Sequence, residues 1–75
     1  MKLKKFRVWR SIDGKLDGTC NGYEEVFAES PEEAVDTVFN WDFEDGNTHY
    51  DYVVDHISEF GGDVIESYGV VNLID

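Results

Sequence analysis

Seventy-five residues with 41% hydrophobic side chains and a formal net charge of −11 make one folded domain, 1–75: a second would have too little core, and a disordered chain would be less apolar. A field of that sign repels nucleic acid and anionic membranes, which excludes direct binding to either, and it attracts basic protein surfaces. The single cysteine, Cys20, excludes an internal disulfide, and no stretch approaches the roughly 18 apolar residues that span a bilayer.

The basic start, Met1 to Arg7, has no signal-type apolar segment behind it, so the expected location is the cytoplasm, a reducing compartment that suits one free thiol. Lys2 to Ile12 reads as a strand, with Phe6, Val8 and Ile12 on one face and Lys5, Arg7 and Trp9 on the other. It also holds nearly all the cations: Lys2, Lys4, Lys5, Arg7 and Arg10, with Lys15 just beyond. From Leu16 to Asp75 there is no Lys or Arg, and every carboxylate except Asp13 lies in that stretch.

Asp13-Gly14, Asp17-Gly18 and Asn21-Gly22 are turn signals. Tyr23 to Ala28 then reads as a second strand, antiparallel to the first. Ser30-Pro31-Glu32-Glu33 is a capping box with proline at the first helical position, so a helix begins there. It is expected to run to about Trp41 and to bury Ala34, Val35, Val38 and Trp41. Asp42, Glu44 and Asp45 crowd its negative pole, and nothing local offsets that cost. Carboxylates set against local preference mark a candidate functional surface.

Tyr50 to Phe60 fits two templates. As a helix it aligns Tyr50, Val53, Val54 and Ile57 at i, i+3, i+4 and i+7, with Thr48 as cap and Gly61 as stop. As a strand it gains from its β-branched and aromatic residues, but Asp51, Asp55 and Glu59 would then share a face with Val53 and Ile57. The helix is the favoured reading. Val64 to Ile74 is a terminal strand with a bulge or bend at Gly69. The expected fold is α+β: a small antiparallel sheet with one or two helices packed on one face, in the order β-β-α-α-β, or β-β-α-β-β if Tyr50–Phe60 pairs.

Catalytic and metal chemistry find little support. Asp13, Asp17, Gly18, Asn21 and Glu24 match positions of a calcium loop, but Lys15 stands where an oxygen ligand is needed. Cys20, His49 and His56 lack the close pairing of zinc ligands, and Cys20 lies among acids that blunt a thiol. No phosphate-cradling glycine motif or Gly-x-Ser-x-Gly occurs. The expectation is a non-enzyme without metal or cofactor.

The carboxylates carry the functional reading. On a helical Tyr50–Phe60, Asp51, Asp55 and Glu59 would stack about 6 Å apart, a row of fixed negative charge comparable in step to DNA phosphates. Asp42, Glu44, Asp45, Glu32 and Asp36 extend the candidate partner-binding set. In size, acidity and charge pattern the chain resembles the small phage-encoded inhibitors that imitate DNA, including anti-CRISPR and anti-restriction proteins. That resemblance implies a stoichiometric blocker occupying the nucleic-acid groove of a host enzyme. The basic N-terminal strand departs from a uniformly acidic mimic, and it leaves open a homodimer in which that strand meets the acidic surface of another copy. The alternative is a structural or assembly subunit that makes contact through apolar side chains around Trp9, Phe27 or Phe43, with acidity serving solubility.

Overall fold

The structure, a computed structural model, describes residues 3–12, 15–16, 23–47 and 50–72. The candidate calcium loop (apart from Lys15 and Glu24), Cys20, His49, Thr48 and the outer ends of the first and last predicted strands lie outside them.

Strand β1 (Lys4–Ile12) is the organising element. On one side it pairs antiparallel with β3 (Tyr23–Ala28) and, further along, with the two-residue β2 (Lys15–Leu16). On its other side it pairs antiparallel with β4 (Asp51–Ile57), which pairs in turn with β5 (Val64–Val70). The four long strands therefore stand in the order β3-β1-β4-β5, and helix α1 (Pro31–Glu44) crosses from β3 to β4 over β1. The domain is α+β with one helix on one face of an antiparallel sheet.

Tyr50–Phe60 is corrected from helix to strand over Asp51–Ile57, so the order β-β-α-α-β does not hold. Period-two burial outweighs the helical spacing. Tyr52 and Val54 are buried opposite Arg10 and Val8 of β1, facing the helix, while Asp51, Val53 and Asp55 share the other face. As a strand, the segment sets Asp55 on one face with Val53. Asp55 accepts a hydrogen bond from Trp9 Nε1 at 3.2 Å on that open face.

The capping signals place α1 as expected. Ser30 Oγ accepts from the Glu33 backbone N–H at 3.2 Å. Glu33 reaches back to the N–H of Glu29 at 3.0 Å, one residue before the cap. Ala34, Val35 and Val38 pack on Phe6, Val8, Val26, Ala28, Tyr52 and Val54 to form the core. Trp41, expected inside, is 46% exposed, and the helix runs on to Glu44. The buried residue of the last turn is Asp42, not Trp41.

At β5 the pairing shifts register twice, between Val54 and Asp55 and between His56 and Ile57. Gly69, at φ +69°, supplies the left-handed residue that the first bulge needs. Bulge and glycine coincide at the position read from the sequence.

Candidate acidic docking face

The cations of β1 are largely used within the domain. On the open face of the sheet, Arg7 reaches Glu25 at 3.3 Å and the carbonyl of Gly62 at 3.3 Å, and it lies 5.1 Å from the centre of the Tyr23 ring. Lys5 stands 3.7 Å from the same Glu25. Trp9 packs on Tyr23 with ring centres 4.7 Å apart.

On the helix face, Arg10 lies against Asp42, with Nη2 to Oδ1 at 2.8 Å and Nε to Oδ2 at 2.9 Å. Tyr52 donates its hydroxyl to Asp42 at 2.7 Å, and Arg10 also approaches Glu24 at 3.9 Å. Burial and the bond to Asp42 push the Tyr52 phenol well above its ordinary range. The same carboxylate raises the Arg10 guanidinium despite the opposing cost of burial. A cation from β1 thus sits at the negative end of the helix dipole, the compensation that the local sequence lacked.

This arrangement sorts the candidate residues. Asp42 is 4% exposed, with its oxygens occupied by Arg10 and Tyr52, so it holds the helix to the sheet and offers nothing to a partner. The stacked row of Asp51, Asp55 and Glu59 does not exist, because β4 is extended. Asp51 is exposed at the start of the strand, Asp55 is half-buried against Trp9, and Glu59 lies in the turn after β4. Four residues of strand separate Asp51 and Asp55 by about 13 Å, more than twice the helical step.

A row of the anticipated kind does occur, on α1. Glu32, Asp36, Asn40 and Glu44 fall at successive i, i+4 positions and all are exposed. They form a ridge on the side away from the sheet, with about 6 Å per step. Exposed Asp45 continues it past the helix end. Among the described residues no Lys or Arg pairs with any of these carboxylates. Glu32, Asp36, Glu44 and Asp45 all belong to the partner-binding set expected from the sequence. The capping box and 3.6-residue period were enough to align them.

Beside the ridge, Phe39 and Phe43 lie one turn apart with ring centres 6.1 Å apart and planes tilted by 36°, and Phe43 is 60% exposed. Next to Phe39 an open groove of ≈ 250 Å³ runs between α1 and β4, lined by Val35, Phe39, Tyr50, Tyr52 and Val71, with Asp51 at its edge. The helix side therefore joins uncompensated carboxylates to an aromatic shelf. Phe27, 55% exposed, belongs to the opposite face with Lys5, and Trp9 is packed against Tyr23, so Trp9, Phe27 and Phe43 form no single apolar patch. No protein-family model matches the chain, and no curated protein or solved structure is similar to it.

Proposed function

We propose that the chain is a non-catalytic acidic binding protein whose α1 ridge engages a basic, nucleic-acid-handling protein and blocks its DNA or RNA site in the manner of a DNA mimic. The observation that supports this reading is the division of charge. Lys5, Arg7 and Arg10 are spent on Glu24, Glu25 and Asp42. Glu32, Asp36, Glu44, Asp45 and Asp51 are exposed, and among the described residues no Lys or Arg pairs with them. Fixed carboxylates at helical spacing meet Lys and Arg side chains that otherwise hold phosphates, and the Phe39–Phe43 shelf adds an apolar contact beside them. Association of this kind is steered by charge and weakens as salt rises.

The test is capture from a host lysate at low and moderate salt, comparing the wild-type chain with the triple variant Glu32→Lys, Asp36→Lys, Glu44→Lys. The reading expects nucleic-acid-binding proteins to be retained at low salt by the wild type alone, and duplex DNA to displace them. Equal retention by both proteins at both salt concentrations would instead support the assembly-subunit alternative, for which exposed Trp41, Phe43 and Phe60 are the favouring observation.

A further inference from the structure

Strand β5 is the edge of the sheet and the most exposed of its long strands. Helix α1 packs mainly over β3, β1 and β4, and on the helix face β5 contributes Tyr68, whose ring centre lies 6.3 Å from that of Phe6. All seven residues of β5 are exposed, with Val64 at 52%, Ile65 at 60%, Tyr68 at 37% and Val70 at 51%. On the side away from β4, its backbone N–H and C=O groups meet no strand of the described chain. Edge strands are ordinarily guarded by Lys, Pro or a covering element. β5 contains neither residue, and what guards it is the single charge of Glu66 and its bulges, which turn Ile65 and Tyr68 out of register with β4.

We infer that this edge is where a second copy of the chain binds, through antiparallel β5–β5 pairing about a two-fold axis at Ser67. The strand is self-complementary in that register. Val64 falls opposite Val70 of the partner copy, Ile65 opposite Gly69, and Glu66 opposite Tyr68. The one charged side chain of the strand, Glu66, never faces itself, and two β-branched pairs meet at the ends. A basic partner suits this edge poorly, since the acids stand on α1; an apolar strand suits it well, and a second copy supplies one.

Pairing about that axis makes one continuous eight-stranded sheet with both helices on the same side. The two β1 strands would then lie five strand spacings apart, about 24 Å. Two acidic ridges would face the same way. The dimer is argued from β5 alone and does not depend on the ridge's proposed role. A single pair of seven-residue strands buries less than the roughly 1,200 Å² of a standard interface. With −11 on each copy, the dimer is weak and forms more readily as salt screens the repulsion.

Sedimentation equilibrium of the full chain reads this directly. In about 0.5 M salt, where the Debye length is only a few ångströms, the apparent mass should rise from 8.6 kDa towards twice that value as protein reaches several hundred micromolar. It should rise less at low salt. Ser67→Lys places two cations together on the axis while facing Asp55 within its own chain, so it should stay monomeric with its fold intact by circular dichroism. Ser67→Thr should dimerise like the wild type. A constant monomer mass at every concentration in high salt, or equal dimerisation by Ser67→Lys, would overturn the inference. Neither result bears on the lysate capture, so the two proposals fail separately.

Discussion

Asp42 shows how one side chain changes meaning once the chain is folded. In the sequence it is one of three acids crowding the end of a helix. In the fold, Arg10, thirty-two positions away, and Tyr52 both turn to it, and nothing local announces either partner. Asp42→Ala would leave the half-buried Arg10 with only Glu24, at 3.9 Å, as a counter-charge, and should destabilise the domain by about 2 kcal/mol in denaturant unfolding. Tyr52→Phe removes only the hydroxyl bond and should cost about 1.5 kcal/mol. The same pair predicts alkaline behaviour. The Tyr52 phenol is raised in the fold above its unfolded value near 10. The neutral form is the one the fold holds, so the stabilisation is complete below pH 10 and drains away as pH climbs past it. Stability measured from pH 8 to 11 should therefore fall more steeply for the wild type than for Tyr52→Phe.

At the scale of elements, the start of α1 and the strands β1, β3 and β5 are legible in the sequence, whereas the end of α1 and the identity of Tyr50–Phe60 are not. Ser30, Pro31 and Glu33 specify the start of α1 through contacts within four residues, and Ser30→Ala should cost about 1 kcal/mol. Gly69 announces its bulge for the same reason. Tyr50–Phe60 could not be decided alone, because its apolar residues satisfy both periods. What decides it is seven residues of pairing with β1. The turn from β4 to β5 illustrates the coupling. A side chain at Gly62 would bring its Cβ to 2.9 Å from Arg7 Nη2, at φ +70°. Gly62→Ala should therefore lower stability by 1 kcal/mol or more, by about the usual strain of a left-handed alanine plus a displaced guanidinium. Glu25→Gln, which weakens one exposed partner of the same Arg7, should change it by only about 0.5 kcal/mol.

For the molecule as a whole, the lopsided charge is legible in the sequence, whereas the arrangement of the acids depends on which segments are helix and which are strand. The acids stand in a row because 3.6-residue periodicity aligns Glu32, Asp36 and Glu44 on α1. Asp51 and Asp55 lie on extended chain and Glu59 in the turn beyond it, so these acids are scattered. The basic strand does not neutralise that row, since it lies at the centre of the sheet with Lys5, Arg7 and Arg10 already paired. Of the four cations within β1, Lys5, Arg7 and Arg10 have carboxylate partners, which leaves little for a head-to-tail contact through that strand. The most direct measurement is the affinity of a captured basic partner for the wild type and for the Glu32→Lys, Asp36→Lys, Glu44→Lys variant across about 50 to 300 mM salt. Wild-type affinity should fall steadily as salt rises, and the variant should bind at least tenfold more weakly at the lowest salt. A salt-independent affinity shared by both proteins would contradict the assignment of the α1 ridge as the binding face.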